Sequence, residues 1–95
     1  MKKDKFENLL GIILKSYGVN YENVGEFSRK KDNVYIILLM MRKYYYLHDK
    51  RIKEILGIDE KNINIELRRA EEKVLTNVDF RGKYFGIEEW VKKII

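Results

Sequence analysis

Eight consecutive apolar residues, Val34-Tyr35-Ile36-Ile37-Leu38-Leu39-Met40-Met41, limit what this chain can fold into more than any other stretch. The run falls well short of the ~20 residues that a membrane-spanning helix needs. At 3.6 residues per turn it covers most of a helix circumference, so such a helix must be enclosed by other elements. We expect a central core helix running from an Asp32 N-cap to about Tyr45. Val34, Ile37, Leu38, Met41 and Tyr45 form its main stripe, and Tyr35, Ile36, Leu39 and Met40 extend the apolar surface round it. Arg42 and Lys43 suit the negative end of its dipole.

The other segments supply the enclosure. Between Asp4 and Tyr17, the residues Phe6, Leu9, Leu10, Ile13 and Tyr17 follow the spacing of an amphipathic helix that Gly18 is placed to end. The stretch VNYENVGEF reads as a single short helical turn, with Asn20 as N-cap and Gly25 as breaker. Asp49 is positioned to cap a helix from Lys50 to Leu56, with Ile52, Ile55 and Leu56 inward. Gly57 then supplies a permissive turn, Ile58 plugs the core, and Asp59 caps a second helix to Thr76 with Ile63, Leu67, Ala70 and Val74 inward. VDFRGKYFG mixes aromatics with glycines and leaves a small strand or wing open as an alternative to helix, followed by an amphipathic helix over 86–95 with Ile87, Trp90, Val91 and Ile94 on its stripe. No window alternates with period two and no Asn-Gly or Asp-Gly hairpin signal occurs. The expected fold is a single all-α domain over 1–95, of five to six helices, with a helix-turn-helix at about 49–76.

Chemistry narrows the function classes. The chain has no cysteine and one histidine, so a cysteine metal site, a histidine cluster and a disulfide are excluded. There is no Gly-rich phosphate loop, no nucleophile motif and no carboxylate pair set apart by spacing, so neither enzymatic activity nor a cofactor is expected. The opening MKKDKFENLL is interrupted by Glu7 and Asn8 before it reaches signal-peptide length, and a cytoplasmic location is expected. Twenty Lys and Arg against fifteen Asp and Glu leave a net charge of +5, which favours anionic partners.

A helix-turn-helix reads duplex DNA by placing the N-terminal part of its second helix in the major groove. There Asn pairs with adenine edges, Arg with guanine, and an apolar side chain meets the thymine methyl. Asn62, Asn64, Ile65 and Arg68 offer that chemistry, with Lys61, Arg69 and the basic loop Arg29-Lys30-Lys31 on phosphates. One count opposes the reading: from Arg51 to Thr76, six Lys or Arg (51, 53, 61, 68, 69, 73) meet six Asp or Glu (54, 59, 60, 66, 71, 72). A neutral motif must draw its phosphate-neutralising charge from Lys2, Lys3, Lys5, the Arg29 loop, Arg42, Lys43, Arg81 or Lys83.

Residues from Ile12 onward carry a family resemblance. IILKSYGVNYENVGEFSRKKDNVYIILLMMRKYYYLHDKRIKEILGI resembles the DNA-binding domain of the bacterial replication initiator DnaA. The shared pattern is a helix ending Tyr-Gly-Val, a short helical turn, a Ser-Arg-Lys loop, a long apolar helix ending Arg-Lys-Tyr, and then the motif. The resemblance implies that the loop and the first motif helix hold phosphates, which here would be Arg29, Lys30, Lys31, Lys50 and Arg51. The family's Gly-Arg-Asp-His-Ser-Thr-like signature is replaced by Ile-Asp-Glu-Lys-Asn-Ile after Gly57, so the initiator's own sequence specificity does not carry over. IKEILGIDEKNINIELRRAEEK is equally similar to region four of sigma factors and to many repressors.

The competing readings are plainer. The outward face of the second helix could be an ordinary solvated surface, and Tyr44-Tyr45-Tyr46 more often closes a core than stacks on bases. Trp90 reads as a core or interface anchor, and His48 as a loop residue. The main alternative function is a protein-interaction module that keeps the helix-turn-helix fold without DNA, with IEEWVKKII mediating homodimerisation or docking. RNA binding is not separated from DNA binding by sequence.

Overall fold

A computed structural model describes residues 4–95; Lys2 and Lys3, named above as sources of charge, lie outside the described residues. Helix α1 (Lys5–Ser16) is followed by a 3-10 turn (Tyr21–Asn23), α2 (Val24–Phe27), α3 (Lys31–Lys43), α4 (Arg51–Leu56), α5 (Glu60–Thr76) and α6 (Val78–Ile94). The fold is all-α, with six α-helices among the described residues.

The run Val34–Met41 is buried along its whole length at the centre of the core. Helix α5 packs on α3, and α6 packs on α1, α3 and α5. The N-cap of α3 falls two residues before the expected Asp32. Lys30 takes the cap position without a side-chain bond, while the Asn33 side chain donates to the Phe27 carbonyl (2.8 Å) and pins the helix start to α2. Asp32 accepts instead from Lys73 of α5. Gly25 does not break the chain, because it lies inside α2, and the 3-10 turn and α2 run on without interruption. The break falls at Ser28, whose hydroxyl donates back to the Val24 carbonyl (2.8 Å).

At its other end α3 stops at Lys43, and the chain reverses with Tyr45 in the left-handed region at φ 68°. The Tyr46 amide donates to the Met41 carbonyl (2.8 Å), the 6→1 bond of a Schellman end. Gly18 fills the same position after α1, where Val19 donates to Leu14 (3.0 Å). Tyr45 is therefore 94% exposed and does not continue the inward stripe, whereas Tyr44 and Tyr46 pack against the core.

Asp49 Oδ1 accepts from the Arg51 amide (2.9 Å), so α4 begins one residue later than expected. Gly57 adopts φ 64° and Ile58 packs on the core. Asp59 holds the N-cap position of α5 through its carbonyl, which accepts from Asn62 (2.8 Å), while its side chain makes no cap bond. Ile63, Leu67 and Ala70 are buried and Val74 is half-buried, as their spacing requires.

The largest departure is at VDFRGKYFG. It forms the opening turns of α6, and no strand occurs among the described residues. Asn77 Oδ1 caps the Phe80 amide (2.9 Å), and the Arg81 guanidinium donates to the last α5 carbonyls, Val74 (2.8 Å) and Leu75 (3.0 Å). Phe80, Tyr84, Ile87 and Val91 share one face, and Phe80 meets Tyr35 edge-on at 6.2 Å. Burying these four side chains outweighs the ~1 kcal/mol that each of Gly82 and Gly86 costs a helix. Trp90 anchors α6 by donating its ring N–H to the Ile12 carbonyl (3.1 Å), and Ile94 is exposed rather than inward.

Two substitutions test these helix ends. Tyr45→Gly relieves the left-handed strain and should stabilise the fold by about 1 kcal/mol, read as a higher urea midpoint. Gly57→Ala should destabilise it by about 1 kcal/mol in the same assay.

Candidate nucleic-acid interface

The outward face of α5 is built by subtraction. Its inner stripe lies on α3, which leaves Lys61, Asn62, Asn64, Ile65, Arg68 and Arg69 exposed on one side of the helix. At 3.6 residues per turn, Asn62, Asn64, Ile65 and Arg68 span an arc of about 160° around it. Among the described residues, the side chains of Lys61, Asn62, Asn64 and Arg68 make no hydrogen bond or ion pair. Ile65 stands between them at 48% exposure.

A cleft runs along each flank of this face. One is lined by Lys31, Gly57, Ile58, Asp59, Asn62, Ile65, Glu66 and Arg69, so the N-terminus of α3 borders the Asn62 side through Lys31. The other is lined by Leu47, His48, Asp49, Lys50, Lys53, Glu60, Ile63 and Asn64, which sets Lys50 and Lys53 on the Asn64 side. Cations thus stand on both sides of the exposed α5 face.

The expected phosphate-contact residues fall into different environments. Arg29 and Lys30 are exposed in the loop between α2 and α3, and neither forms an ion pair; the same holds for Lys50 and Lys61. Lys31 (3.0 Å) and Arg69 (2.8 Å) both bind the carboxylate of Glu66, which is itself buried. Arg51 is engaged within the fold. Its guanidinium donates to Asp49 (2.9 and 2.7 Å), Asp4 (2.6 Å) and Glu7 (3.4 Å), and lies 4.3 Å from the centre of the Phe6 ring. The network ties the start of α4 to the start of α1.

Other charges named from the sequence serve the core's rim. Arg42 pairs with Glu71 (2.8 Å) and Lys43 with Glu88 (2.9 Å), while Arg81 caps α5. Lys5 and Lys83 are exposed without ion pairs. Sequence reasoning missed two participants, Glu66 and Lys53. Glu66 borders the apolar stripe, three residues after Ile63 and one before Leu67, and that position was the signal that its carboxylate would be buried. No grouping of three or more His, Cys, Asp or Glu placed to hold a metal occurs among the described residues, and no helix there is long and apolar enough to cross a membrane.

The Arg51 network makes a pH prediction. The Arg51 guanidinium holds the Asp49 carboxyl below the usual carboxylate range. Asp4 is lowered by the Glu7 amide that it caps and then by Arg51. Lowered acids stabilise the fold above about pH 4 and lose that contribution as pH falls through their native values. Urea midpoints from pH 6 to about pH 2 should therefore fall, and should fall less steeply in Arg51→Ala, which keeps only the backbone amide bonds to Asp4 and Asp49. At neutral pH, Arg68→Ala should stay within about 0.5 kcal/mol of the parent, whereas Arg51→Ala should be clearly less stable. No protein-family model, curated protein or solved structure matches the chain, so the role of the α5 face is argued from its own chemistry.

Proposed function

We propose that the protein binds duplex DNA as a helix-turn-helix module, a small regulator or an accessory factor of replication or transcription, with α5 in the major groove. The observation that carries this reading is the unpartnered polar face of α5 between two cation-bearing clefts. Exposed Asn and Arg side chains that make no bond within the chain keep their donors and acceptors for base edges. Asn62, Asn64, Ile65 and Arg68 read bases in this proposal, while Arg29, Lys30, Lys50, Lys53 and Lys61 neutralise phosphates. Lys31 and Arg69 are held at the edge of the face by Glu66, and Arg51 is structural rather than a phosphate contact. The short α4, the left-handed Gly57 and the long α5 agree with the resemblance to initiator and sigma-factor motifs.

Electrostatics supports the same division. The acids of α5 that made the motif neutral are partly answered from α3, since Glu66 and Glu71 pair with Lys31 and Arg42. Asp59 and Glu60, at the N-terminus of α5, form no ion pair among the described residues. They oppose phosphate directly.

Titration with random duplex DNA at several salt concentrations tests the proposal. Five phosphate contacts predict a log–log salt slope of about −4.5, reduced by about one in Lys30→Ala. Glu60→Gln should tighten nonspecific binding by removing a repelling charge. Against a sequence selected from a random pool, Arg68→Ala should lose about 1–3 kcal/mol of discrimination without loss of stability. Absence of binding at low salt would sink the proposal in favour of a protein-interaction module. Tighter binding to duplex RNA than to DNA would sink it in favour of RNA binding, because the A-form major groove is too narrow to admit a helix.

A further inference from the structure

One face of α6 is left uncovered by the rest of the chain. Val78 is 74% exposed and Phe85 49%, and Leu75 at the end of α5 extends the apolar surface at 76%. Asp79 lies near the N-terminal end of this face and Lys93 near the C-terminal end, seven residues before and after Gly86, with the exposed Glu89 between Gly86 and Lys93. Seven residues is close to two turns, so the three positions fall on one line along the helix. Neither Asp79 nor Lys93 forms an ion pair among the described residues.

We propose that α6 packs antiparallel against α6 of a second copy, about a two-fold axis beside Gly86. The charge pattern selects both the occupant and its direction. Antiparallel alignment sets Asp79 of each copy against Lys93 of the other, whereas parallel alignment opposes like charges. The surface is therefore complementary to itself. Phe85 of each copy lies over the Gly82–Gly86 edge of the other, and Val78 meets the aliphatic stem of the other copy's Lys93. A Cβ added at Gly82 or Gly86 would meet nothing within 4 Å among the described residues, so this edge is open to the close approach of a second helix. None of Asn62, Asn64, Ile65 and Arg68 takes part, and the dimer stands or falls independently of DNA binding.

The absence of native cysteine allows a direct test on the full chain. Gly86→Cys, a site with open space around it, should form a disulfide-linked dimer under mild oxidation. Asp79→Cys should not, because the two sulfurs would stand about 21 Å apart along the antiparallel pair. In sedimentation, the unmodified chain should show a concentration-dependent dimer that Phe85→Glu abolishes while helical circular dichroism is unchanged. Asp79→Lys or Lys93→Glu alone should weaken dimerisation about tenfold, since symmetry counts each change twice, and the two together should restore it. The proposal is overturned by a monomer at millimolar concentration, by a dimer that ignores Phe85→Glu, or by ready cross-linking through Asp79→Cys.

Discussion

A helix that is apolar on every side cannot lie on a protein surface, and α3 is such a helix. Its eight central residues are all buried, which requires partners around the whole circumference, and α5 and α6 are long enough to provide them together with α1. Each fully buried Leu, Ile or Met contributes about 1.5–3 kcal/mol, whereas an exposed ion pair adds about 0–1 kcal/mol. Burial of α3 therefore decides where the helices go. The pairs Lys31–Glu66, Asp32–Lys73, Arg42–Glu71 and Lys43–Glu88 at its rim settle rotations and ends within that arrangement.

The same constraint divides α5 into two faces with different tasks. Ile63, Leu67 and Ala70 are committed to the core, so the opposite side is presented on a rigid element rather than on a loop. Rigid presentation matters for recognition, because a base-reading side chain must be held in register with a groove before its own rotamer is chosen. The buried carboxylate of Glu66 adds to this by fixing two cations, Lys31 and Arg69, at the edge of the exposed face.

Positive charge is likewise divided. The net +5 of the chain does not describe the cations open to a partner, because Arg51, Arg42, Lys43, Lys73 and Arg81 are engaged inside the fold. Arg29, Lys30, Lys50, Lys53 and Lys61 are exposed and form no ion pair among the described residues. A cation's position relative to the acids of other helices, rather than its place in a basic run, separates the two groups.

The amino-acid sequence by itself determined what depends on neighbours within a few residues. The central helix, the stripes of α1 and α5, the left-handed Gly57 and the exposure of Asn62, Asn64, Ile65 and Arg68 all follow from periodicity and turn chemistry, which act over one or two turns. Tertiary structure alone decided the rest. VDFRGKYFG has two glycines and weak local preference, and it became helix because Phe80 found Tyr35 and Arg81 found the carbonyls ending α5. Arg51 looked like a free cation until the fold brought Asp4 and Glu7 to it across more than forty residues. Tyr45 left the core stripe because α3 ended two residues before it. For Phe80 and Arg51 the deciding partner is distant in sequence, and tertiary packing brings it into contact, whereas Arg81 and Tyr45 are settled by how the helices beside them end.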